Sequence, residues 1–145
     1  MKLPILLSVL FLSASPAFAG DFVYLECRGT VVTVMKELNS SRMKREEADE
    51  MQHYKVDLAN SRMMTVSNPE WEDVEIVNGE VVMERELTSN GYTATIKSSM
   101  QIIPAGRMTA ESFARSETIS QLYIAKGMCK AIDASVFEKV LEARS

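Results

Sequence analysis

The chain has one histidine, two cysteines, one tryptophan and only four prolines in 145 residues. It has no G-x-S-x-G turn, no C-x-x-C pair and no glycine-rich phosphate loop. Nucleophilic catalysis of the Ser–His or Cys–His kind would therefore have to run through His53 alone. The missing C-x-x-C argues against a thiol redox centre. No apolar run approaches the roughly 20 residues needed to span a bilayer. Basic residues are also outnumbered, 16 against 20 acids, which argues against phosphate-backbone binding to nucleic acid.

What is present begins with an export signal. Lys2 precedes a short apolar stretch, residues 5–12, and residues 13–19 are small around Pro16. They end in Ala17-Phe18-Ala19, the A-x-A pattern that fits a signal peptidase pocket. Residues 1–19 read as a signal peptide cut between Ala19 and Gly20, leaving a domain of 126 residues with a net charge of −5. Cys27 follows Leu25-Glu26 instead of small residues, so lipid attachment at the cut is not expected. The expected location is periplasmic or secreted, with no membrane anchor. The short signal and a single N-x-S match, at Asn39, favour a bacterial periplasm.

In an oxidising compartment two cysteines most often pair. Cys27 and Cys129 lie near the two ends of the mature chain, and bridging them closes a loop of about 100 residues. A redox pair or two metal ligands are the alternatives; the first normally needs C-x-x-C, the second further ligands nearby.

Most of the mature sequence alternates with period two. Residues 22–28 place Val23, Leu25 and Cys27 on one face, Gly29 permits a bend, and residues 30–35 continue as a second strand-like run. In residues 51–58, Tyr54, Val56 and Leu58 are expected inside, with His53, Lys55 and Asp57 in water. Asn78-Gly79, between residues 74–77 and 80–87, suits a type I′ hairpin turn. A second turn, Ser89-Asn90-Gly91, leads into residues 92–97. Pro104-Ala105-Gly106 breaks the strand that follows, and residues 107–115 and 119–125 form a last hairpin near Ser116-Glu117.

Two stretches depart from this pattern. Residues 39–50 are highly charged without a consistent apolar face, and are expected to be a mobile loop or a solvated helical turn. Residues 135–143 read as a helix, with Ser135 and Glu138 in a capping-box pattern and Val136, Phe137, Val140 and Leu141 as an apolar stripe. The stripe either docks on the domain or binds a partner. The sum is a mainly β fold: one antiparallel barrel or compact sandwich of about eight strands in residues 20–145, with a C-terminal helix.

Chemistry is sparse. Glu70, Glu72, Asp73 and Glu75 surround Trp71, and Glu84 and Glu86 share a strand face. Two carboxylates can hydrolyse a glycosidic bond, but only with one raised pKa and a set separation. A calcium site at residues 70–75 lacks the spaced D-x-[DN]-x-[DN]-G loop. Nine methionines remain in the mature chain, and only Met63-Met64 adjoin, so core filling explains them better than copper binding. No cofactor, metal or catalytic residues are expected.

The opening FVYLECRGTV and the closing GRMTAESFARSETISQLYIAKGMCK resemble small exported bacterial proteins of unassigned function. These share an aromatic-x-x-x-x-Cys-x-Gly start, a Y-x-V-D-L strand (Tyr54 to Leu58 here) and a Gly-x-Cys end. The resemblance implies a β domain with a terminal disulfide and supplies no catalytic residues. Periplasmic lysozyme inhibitors are also small disulfide-bonded β-barrels, but their inhibitory loop motif is not evident here. The expectation is a non-enzymatic binding or interaction domain for a small apolar ligand or a protein partner. The rivals are a hydrolase using Glu70, Glu72 and Asp73 near Trp71, and a protein inhibitor of a cell-wall enzyme.

Overall fold

A computed structural model describes residues 20–145. The signal-peptide reading of residues 1–19 lies outside the described residues, apart from Gly20 at the proposed cut. Nine strands and one helix follow in order. They are β1 (Phe22–Glu37), β2 (Met43–Asp57), β3 (Arg62–Thr65), β4 (Glu72–Asp73), β5 (Glu75–Val77), β6 (Glu80–Ser89), β7 (Tyr92–Ile102), β8 (Ala105–Arg115), β9 (Ile119–Ala131) and α1 (Ala134–Arg144). All pairings are antiparallel, and the strands form one sheet in the order β4-β3-β2-β1-β9-β8-β7-β6-β5. The expected β fold is present, and it is a barrel-like sheet instead of a sandwich.

The two edge strands, β4 and β5, are separated in sequence by Val74 alone. The chain itself therefore joins the ends of the sheet. Arg85 of β6 reinforces this seam: its Nη2 donates to the Asp73 carbonyl at 2.9 Å, and its Nη1 lies 3.8 Å from Glu72 Oε2. Curling brings together strands that are not neighbours. Val23, Leu25 and Cys27 of β1 share one core with Val56 of β2, Val81 of β6, Met100 and Ile102 of β7, and Cys129 of β9.

Closure is complete only at this end. β2 pairs with β3 only over residues 54–57, and β6 with β5 only over residues 80–82. Beyond those points, residues 43–53 of β2 and 83–89 of β6 have no strand beyond them among the described residues. The upper half is thus a six-stranded trough, open along one side.

The alternation predicts the lower strands well. The Asn78-Gly79 turn has φ of 51° and 75°, as a type I′ hairpin requires. Asn90-Gly91 repeats it at 45° and 78°. β1 corrects the expectation of a break: it runs unbroken through Gly29. Residues 39–50 need a larger correction. Residues 43–50 are strand, paired with β1 from Met43↔Lys36 to Glu50↔Gly29. Both faces of this segment are exposed, so no alternation marks it, and backbone pairing sets its structure. Lys44–Glu46 (2.6 Å) and Arg45–Glu47 (3.2 Å) pairs lie along it, which fits a free edge kept charged.

The helix docks. Phe137 is fully buried, with its ring 5.7 Å from that of Tyr24 on the outer face of β1. The capping-box reading is corrected, because Asp133 is the N-cap residue and makes no side-chain cap bond. Glu138 instead faces Lys55 Nζ of β2 at 3.7 Å.

Candidate functional site

Cys27 and Cys129 are bonded to each other and stand directly opposite on β1 and β9, with their Cα atoms 3.9 Å apart. Two residues along, Gly29 faces Gly127. A Cβ on Gly29 would lie 2.1 Å from the Lys126 carbonyl oxygen, and one on Gly127 would lie 2.4 Å from that of Arg28. The strands approach too closely here for any side chain. The small residues continue along the sheet: Val31 pairs with Ala125, and Ala125 with Ala110.

Small residues flanked by large ones leave a hollow. It has a volume of about 160 Å³ at the junction of the closed barrel and the open trough. Val31, Ala110 and Ala125 line it, with Tyr54, Met108 and Tyr123 as the bulky walls and Glu50 as the acid. Tyr54 Oη lies 3.7 Å from Met108 Sδ, which ties β2 to β8 across the barrel. Glu50 reaches over Gly29, which has no side chain, and its Oε2 accepts the Tyr123 hydroxyl at 3.3 Å. Burial, and then the neighbouring Glu50, raise both phenols: Tyr54 to about 12, and Tyr123 in the same direction. Both are neutral hydrogen-bond donors throughout the physiological range.

His53 does not face water. It is buried on the outer face of β2, with Nε2 3.3 Å from Glu26 Oε2. Glu26 Oε1 also meets Arg28 Nε at 2.9 Å and Lys130 Nζ at 3.2 Å. The Arg28 hydrogen bond, opposed by burial and helped by Lys130, holds the Glu26 carboxyl down at about 2. This is a charge cluster with no nucleophile among its partners. Asp57, likewise expected in water, is buried because Asn60 and Arg62 fold over it. Their hydrogen bonds lower its pKa, that of the Asn60 side chain most.

The acids near Trp71 do not converge. Glu72 meets Arg85 and accepts from Asn68 Nδ2 at 3.3 Å, while Glu70, Asp73 and Glu75 are exposed. Trp71 stacks on Phe22 at 6.3 Å and carries the Arg62 guanidinium 4.5 Å over its ring. Glu84 pairs with Lys97 at 3.1 Å. Among the described residues, no three of His, Cys, Asp and Glu group as a metal site, including residues 70–75. Met63 packs against the core, whereas its neighbour Met64 lies outside that group.

Sequence reasoning missed Glu50, Tyr54 and Tyr123 as a group. Their shared face depends on the register of three strands. Comparison with protein-family models, curated proteins and solved structures finds no match for this chain.

Proposed function

We propose that this chain is an exported, non-enzymatic binding protein that holds a small, largely apolar ligand in the hollow above the disulfide. The hollow itself carries the reading. Three small side chains on adjacent strands leave room beside two tyrosines and a methionine, at a place where the core could have been filled. Its volume is close to the ~150 Å³ apolar cavity that accepts benzene in an engineered protein. Export is supported by the signal pattern of residues 1–19 and by the disulfide. No helix among the described residues is long and apolar enough to cross a membrane. The motifs shared with small exported bacterial β-domain proteins support a periplasmic location. The hydrolase reading is weaker, because the acids near Trp71 are either exposed or engaged by Arg85 and Asn68.

Native mass spectrometry of the protein purified from the exported fraction tests this. The expected species starts at Gly20, is two hydrogens lighter than the reduced chain, and carries one small molecule per chain. That molecule should be lost in Ala110→Phe, which fills the hollow. An adduct retained by Ala110→Phe overturns the assignment of the site.

One observation favours a protein partner as the second reading: the free backbone edge of β2 along residues 43–52. Pull-down from the same extract at near-stoichiometric yield, lost when Glu47, whose backbone faces away from β1, is replaced by Pro, would support it.

A further inference from the structure

The charge in the hollow narrows what it can hold. Glu50 comes from the free edge of β2, and its register with Gly29 puts it on the face of the disulfide and Tyr54. Its neighbour Asp49 lies on the other face, where it accepts from Thr30 Oγ1 at 3.4 Å. The Glu50 oxygen Oε2 accepts from Tyr123, while Oε1 has no hydrogen-bond partner among the described residues. No lysine or arginine lies within 4.0 Å of this carboxylate among the described residues. Lys126 also lines the hollow, from the register row of Thr30 and Asp49, and forms no ion pair with Glu50 within 4.0 Å.

The hollow therefore combines a carboxylate that has no ion pair within 4.0 Å with two neutral phenol rings, a thioether and an apolar floor, and Thr30, Gln52 and Lys126 complete its lining. An anion entering it would meet repulsion. A neutral apolar ligand would strip water from Glu50 without replacing it. A cation answers both problems, since it pairs with the carboxylate, and aromatic rings of the kind that line the hollow attract cations.

We infer that the hollow takes a compact organic cation, an ammonium group against Glu50 with an apolar body about the size of benzene over Val31, Ala110 and Ala125. This rests on the proposed reading of the hollow as a ligand site and adds the charge of the ligand to it.

Isothermal titration of the oxidised mature chain with three matched probes, at low salt, separates the two. Benzylammonium carries the charge, benzyl alcohol is its neutral counterpart, and benzoate is the anion. Benzylammonium is expected to bind at least tenfold tighter than benzyl alcohol, and benzoate weakest. Glu50→Gln should erase that preference and leave the affinity for benzyl alcohol within twofold. The outward-facing control Glu47→Gln should keep the preference. Equal binding of benzylammonium and benzyl alcohol, or a preference that survives Glu50→Gln, overturns the cation assignment while leaving the hollow as a ligand site. Failure of all three probes to bind overturns both.

Discussion

Reduction of the Cys27–Cys129 bridge is the perturbation whose size follows most directly from the structure. The bond joins residues 102 positions apart, so breaking it frees most of the domain in the unfolded state. Loop-closure entropy for about 100 residues corresponds to roughly 4.7 kcal/mol at 25 °C. Unfolding entropy of about 2.1 cal/mol/K per residue gives a domain of this size about 260 cal/mol/K. The ratio is a fall in Tm of about 18 °C. The native ladder does not depend on the bond, because β1 and β9 pair from Leu25↔Ala131 to Glu37↔Ile119 on both sides of it. The reduced protein should therefore remain folded at 25 °C and melt cooperatively. Calorimetry of the oxidised and phosphine-reduced chain, with a Cys27→Ala/Cys129→Ala variant alongside, measures the difference. A fall of less than about 5 °C would refute loop closure as the main contribution of the clasp.

Four further outcomes are expected. Gly29→Ala should cost about 3 kcal/mol in urea unfolding, because its Cβ meets the Lys126 carbonyl at 2.1 Å. Gly91→Ala, at φ +78° in open space, should cost only about 1 kcal/mol. Acid should weaken the fold through Glu26, which is held at about 2 against an ordinary 4.5. Between these values the unfolded chain binds more protons, so the contribution is complete above pH 4.5 and disappears as pH falls toward 2. Arg28 and Lys130 are about two-thirds exposed, so after solvent screening it is about 1 kcal/mol. Glu26→Gln should flatten the stability–pH curve in that window, and an unchanged slope would reject the assignment. Phe137→Ala should cost about 3 kcal/mol and remove hydrogen-exchange protection from α1, with β1 and β9 still protected. Loss of protection in both would mean that the helix is integral to the barrel.

The strands that close the barrel were legible because one of their faces is buried and the other is not. Val56 and Tyr54 followed alternation, and Asn78-Gly79 announced its hairpin through the backbone angles it tolerates. Residues 43–50 were not legible, since a strand exposed on both faces carries no period-two signal. Its structure comes from β1 alone. His53 and Asp57 were placed on the correct face, but that face is covered: Glu26 pairs with the histidine, and Arg62 and Asn60 enclose the aspartate. Alternation reports which side a residue takes and not what lies on that side. The hollow was hidden for a related reason. Gly29 reads as a bend in the sequence, whereas it is a gap between two closely approaching strands, over which Glu50 reaches Tyr123.

Methyl NMR of the methionines reads ligand binding at the hollow itself. Met108 lines the hollow, whereas Met43 and Met128 are 68% and 61% exposed and lie outside its lining. Titration with benzylammonium should move the Met108 methyl resonance along a saturable curve and leave Met43 and Met128 in place. A Met108 resonance that stays fixed, or one that moves no more than Met43 and Met128, would contradict it.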